Sequence, residues 1–105
     1  MNATAEWGLT PTVLGQIRSV LARFPPIEQA ILYGSRAKGN FRPGSDIDLA
    51  LVAPELTERQ LIALDAALDD LLLPYTFDLC RLASLNNPAL IEHIQRVGQI
   101  LYARS

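Results

Sequence analysis

YGSRAKGNFRPGSDIDLALV, residues 33–52, joins two strand ends through a short, basic, glycine-bearing loop. Just before it, Ile27 to Tyr33 is short, apolar and rich in β-formers, which predicts a buried strand stopping at Gly34. Glycine at such a point lets backbone approach a ligand closely. Ser35 with Arg36-Ala37-Lys38 predicts the start of a short helix, whose free N–H groups form an anion site. Arg36, Lys38 and Arg42 crowd positive charge into the same region, and Gly39, Asn40, Pro43 and Gly44 turn the loop sharply. Asp46 and Asp48 then flank Ile47 at the start of a second strand, Ile47 to Ala53. Alternation along that strand puts both carboxylates on one face, with Ile47 and Leu49 on the other. Two adjacent carboxylates repel unless a cation lies between them, and hard oxygen ligands beside a phosphate site imply Mg²⁺.

Outward from this block, helices and strands alternate. Thr10 followed by Pro11 predicts an N-cap and a first helical turn, and Val13, Ile17, Val20, Leu21 and Phe24 keep helical spacing until Pro25-Pro26. Thr57 and Gln60 form a capping box for a helix with the stripe Leu61, Leu64, Leu68 and Leu71, closed by Pro74. Asp65, Asp69 and Asp70 fall on its wet face. Thr76 to Leu82 predicts a third strand, in which Asp78 faces away from Phe77 and Leu79. If that strand neighbours the second, Asp78 joins Asp46 and Asp48 on one surface. Asn87 and Pro88 open a last helix with Leu90, Ile91, Ile94 and Val97, and Gln99 to Tyr102 reads as a final turn or an edge strand. The expected class is α/β, a small mixed sheet of three or four strands flanked by helices. His93 reads as a structural or surface residue, Cys80 as core packing, and Trp7 and Tyr102 as terminal anchors.

The chain has 105 residues, 50% of them hydrophobic and 19% charged. That length predicts one domain, residues 1–105, and the hydrophobic content argues against disorder. One cysteine excludes an internal disulfide framework and a Cys-rich zinc site. The opening MNATAEWGLT shows neither a basic nor an apolar signal-peptide region, and no apolar run reaches membrane-spanning length, so a cytoplasmic location with no membrane contact is expected. A net charge of −2 disfavours strong binding of free nucleic acid, which depends on neutralising phosphates.

Gly34-Ser35, ten residues, then Asp46-Ile47-Asp48 resembles the GS-x10-DxD signature of the DNA polymerase β-type nucleotidyltransferase superfamily. The wording GSRAKGNFRPGSDIDLAL and the small size are most similar to the minimal nucleotidyltransferases, or MNT group, and the resemblance runs from about Ile31 to Leu82. It implies a polymerase β-like core and a two-metal site using Mg²⁺, with Mn²⁺ as alternative, and ATP or another NTP as substrate. By the motif match, Gly34 and Ser35 contact the nucleotide phosphates and Asp46 and Asp48 bind metal. Asp78, assigned by strand position, completes the site and helps activate the acceptor hydroxyl. Arg36 and Arg42 are further phosphate candidates from their proximity to the motif.

The reaction class that follows is transfer of a nucleoside monophosphate from an NTP to a hydroxyl, with release of pyrophosphate. Larger superfamily members carry extra domains for the base or acceptor, so here the acceptor and part of the base pocket are expected from another chain or a symmetry mate. MNT proteins are commonly paired with helical HEPN toxins, acting as antitoxins that add AMP to a toxin tyrosine; the resemblance implies the same partner here. Two alternatives stay open: a non-catalytic, nucleotide-dependent module that neutralises a partner by occlusion, and transfer to a small-molecule hydroxyl.

Overall fold

Thr10 starts the first helix as its chemistry requires: its hydroxyl accepts the Val13 N–H at 3.2 Å, and Pro11 fills a position whose N–H would have no helical partner. Helix α1 spans Pro11–Ala22 and buries Leu14, Ile17, Val20 and Leu21. Strand β1, Gln29–Tyr33, follows and leads directly into a short helix α2, Gly34–Lys38. Strand β2 is Ile47–Val52 and helix α3 is Glu58–Asp69. The Thr57–Gln60 capping box forms in both directions, with Gln60 N donating to Thr57 Oγ1 at 3.1 Å and Thr57 N to Gln60 Oε1 at 3.0 Å. Strand β3, Phe77–Arg81, is followed by a single 3-10 turn at Leu82–Ser84. Helix α4, Pro88–Val97, is capped by the Asn87 side chain, and strand β4, Gln99–Ala103, closes the chain. The computed structural model describes residues 5–105. Residues 1–4, the start of the stretch read above as lacking a signal peptide, lie outside them.

The sheet has four strands in the order β3-β2-β1-β4. β1 pairs antiparallel with both β2 and β4, and β2 pairs parallel with β3. The expected mixed sheet is therefore observed, and residues 99–103 settle as an edge strand. The parallel pair follows from the α3 crossover between β2 and β3, since a parallel connection needs a long excursion. One sheet face is closed by α1 and α3. Ala30, Leu32, Ile47, Leu49 and Leu51 meet Ile17, Leu21, Leu64 and Leu68 in one buried core. On the opposite face a smaller cluster of Tyr33, Ala50 and Ile94 seats α4. Of the expected α3 stripe, Leu64 and Leu68 are buried while Leu61 and Leu71 are partly covered. Among the described residues, no helix is long and apolar enough to cross a membrane.

Candidate active site

Where β1 ends, the chain turns at once. Gly34 has φ +76, a conformation L side chains rarely adopt. A Cβ added there would run into Asp48 Oδ2. Glycine is thus required twice, by its torsion and by its contact with a carboxylate. The strand register delivers that carboxylate: Tyr33 pairs with Asp48 across β1–β2, and Asp48 pairs with Asp78 across β2–β3. Parallel partners share a face, so Asp48 and Asp78 stand side by side on the face that α1 and α3 leave open. Asp46 sits just before β2, where the Thr76 hydroxyl donates to its Oδ1. Thr76 also accepts the Ile47 N–H through its carbonyl at 2.9 Å, tying the loop end to β3.

The electrostatics of this face are strained by like charge. Asp48 is pushed up from 3.8 to about 6, first by burial, then by Asp78 and Asp46, with Arg36 opposing. The Tyr33 phenol rises well above its ordinary range, chiefly through burial and its bond to Cys80, Oη to Sγ at 3.6 Å. Burial likewise pushes the Cys80 thiol up. Both shifts favour the protonated, neutral forms. The chemistry available here is that of carboxylates: cation binding and proton acceptance. Hard carboxylate oxygens, with the Asp48 carboxyl pushed up by burial and by its acidic neighbours, fit a divalent cation. Among the described residues, however, no three His, Cys, Asp or Glu side chains are already gathered to hold an ion.

Gly34, Ser35, Asp46, Asp48 and Asp78 are thus brought to one end of the open face, around the β1–α2 turn. Arg36 departs from the sequence reading. Its side chain is 1% exposed. It donates to the carbonyls of Trp7 (2.9 Å), Pro43 (3.3 Å) and Ser45 (3.1 and 2.8 Å). Its guanidinium lies 5.3 Å from the Phe41 ring centroid and 4.7 Å from that of Tyr75. These contacts commit its donors to backbone carbonyls, so Arg36 clamps the loop between α2 and β2 and does not line an exposed phosphate rim. Lys38 and Arg42 remain exposed on that rim. His93, read above as a structural or surface residue, accepts the Gly34 N–H on Nε2 at 3.1 Å. Nothing local in the sequence marks this contact, because the partners are 59 residues apart.

The polymerase β nucleotidyltransferase family model matches residues 15–105. Three solved structures share the fold. A toxin–antitoxin crystal structure with AMP-PNP is 26% identical with a TM-score of 0.70, over 88% of this chain and 74% of that one. A toxin–antitoxin MntA–HpeT mutant, with two aspartates two positions apart replaced by glutamate, is 23% identical with a TM-score of 0.69, over 88% and 74% of the two chains. The toxin–antitoxin MntA–HepT is 24% identical with a TM-score of 0.62, over 87% and 70%. A sequence comparison with curated proteins finds no match. The family model covers most of the chain, and its fold places the GS turn beside the paired aspartates: this chain belongs to the polymerase β nucleotidyltransferase family.

Proposed function

We propose that this protein transfers AMP from ATP to a hydroxyl, a tyrosine of a helical HEPN-type partner, and acts in the cytoplasm as that partner's antitoxin. The observation that carries the reading is the contact of Gly34 with Asp48, and of Asp48 with Asp78, on an otherwise open sheet face. The similarity in fold to toxin–antitoxin structures, one of them with AMP-PNP, supports the choice of partner and nucleotide. Gly34 and Ser35 receive the phosphates, and the exposed Arg42 adds charge at the rim. Asp46, Asp48 and Asp78 would hold a divalent cation, Mg²⁺ or Mn²⁺, which would supply positive charge for the triphosphate and offset carboxylate repulsion. Asp78 accepts the phenolic proton as the tyrosine oxygen bonds to the α-phosphorus. The bond from that phosphorus to the bridging oxygen breaks, and pyrophosphate leaves.

Co-expression with the product of the neighbouring gene, followed by intact-mass spectrometry, tests this. The partner is expected to gain AMP units, and Asp48→Asn or Asp78→Asn is expected to slow the gain by about 10²–10³-fold, the scale of removing one charge-organising group. A partner that is neutralised without any mass gain would replace the reading with occlusion, and a labelled small molecule or RNA would overturn both.

A further inference from the structure

Helix α4 reaches the phosphate turn through a single polar side chain. His93 is half-buried, its ring stands edge-on to Tyr33 with centroids 6.2 Å apart at 82°, and its Nε2 accepts the Gly34 N–H at 3.1 Å. A nitrogen that accepts carries no proton, so the neutral ring holds its proton on Nδ1. Gly34 is therefore gripped from two sides. Asp48 Oδ2 occupies the place of its Cβ, and His93 holds its N–H. The hold is independent of how α4 is anchored, since Ile94 and Leu90 pack it onto Tyr33 and Ala50.

We propose that His93 is a positioning residue for nucleotidyl transfer: by holding the Gly34 N–H it fixes the Gly34–Ser35 turn against Asp48, keeping the phosphate site and the carboxylate pair at a constant separation. The proposal rests on the nucleotidyl-transfer reading above. His93 touches no reacting atom; it acts through the backbone of Gly34. Loss of the hold leaves the fold standing and loosens the turn, so it lowers the rate of transfer more than the affinity for ATP.

The test compares His93→Leu, which keeps bulk and loses the acceptor, with His93→Gln, whose amide oxygen can accept the same N–H. In the co-expressed complex, His93→Leu is expected to lower kcat by about three- to tenfold, the loss of one hydrogen bond, with a smaller change in KM for ATP. His93→Gln is expected to recover most of that rate, and the thermal midpoints of both to stay near that of the wild type. In ¹H–¹⁵N spectra the Gly34 amide is expected to move upfield in His93→Leu only. Full activity in His93→Leu, or equal loss in His93→Gln, overturns the role of His93 while wild-type transfer leaves the enzymatic reading intact. A wild type that neither binds an ATP analogue with Mg²⁺ nor transfers AMP overturns both. Long-range imidazole ¹⁵N spectra of the wild type need no variant: an Nε2–H tautomer refutes the proposal alone.

Discussion

The two faces of this sheet are made from the same strands and treat their residues differently. On one, Ile47, Leu49 and Leu51 of β2 are covered by α1 and α3 and almost wholly excluded from water. On the other, the neighbours in sequence are Asp48 and Ala50, and the cover is α4 with Leu82 and Leu85 of the turn after β3. Ala50 is fully buried, whereas Asp48 is half-buried and Asp78 exposed. The covered face supplies the stability from apolar burial. The other face is left partly open, so carboxylates can stand together at the cost of mutual repulsion. A fold of this size can hold a strained site because the strain lies opposite its core.

Truncation distinguishes the faces most sharply. Leu49→Ala, at a fully buried position, is expected to cost about 2–5 kcal/mol in urea unfolding. Leu90→Ala, on the partly covered α4, is expected to cost about 1 kcal/mol, since less apolar area is lost. Equal costs would break the comparison.

Arg36 is the buried charge behind the open face. Arg36→Met keeps its volume but leaves the Trp7, Pro43 and Ser45 carbonyls without this donor, an expected cost of about 2–3 kcal/mol. Amide exchange of residues 39–46 should accelerate with it. A neutral outcome would mean the clamp adds nothing to the loop.

The smallest effect has the opposite sign. Asp48 titrates near 6 in the fold and at its ordinary 3.8 when unfolded. Between those values the folded state binds more protons, so stability falls as pH rises through the window and the penalty is complete above it. Asp48→Asn removes the penalty. In metal-free buffer at pH 7.5 it is expected to stabilise by about 1 kcal/mol, after discounting for solvent screening of a half-buried group. That corresponds to a rise in thermal midpoint of about 4–8 °C, absent at pH 3. A variant that gains nothing at pH 7.5 would show that the open face carries no strain. Transfer activity is expected to be lost in the same variant, so the site's chemistry and the fold's stability would move in opposite directions.

Local chemistry made most of the elements legible. Thr10-Pro11, the Thr57–Gln60 box and Asn87-Pro88 each place a helix start within their own few residues, and the alternation of Asp46-Ile47-Asp48-Leu49 assigns faces by strand geometry alone. The same logic grouped Gly34, Ser35, Asp46 and Asp48 as one candidate site, because turn, loop and strand are contiguous in the chain. Asp78 was readable as facing away from Phe77 and Leu79, but its place beside Asp48 depends on β3 pairing parallel with β2. Arg36 and His93 were not readable. A basic residue in a glycine-bearing loop looks the same whether it points to solvent or to the carbonyl of Trp7, which lies 29 residues away. A histidine on a helix gives no sign of an acceptor bond to Gly34, 59 residues earlier. Caps, periodicity and motif spacing are decided by neighbours in sequence; the partner of a long polar side chain is decided by which backbone groups the packed elements bring within hydrogen-bond reach, and that distance exists only once the chain has folded.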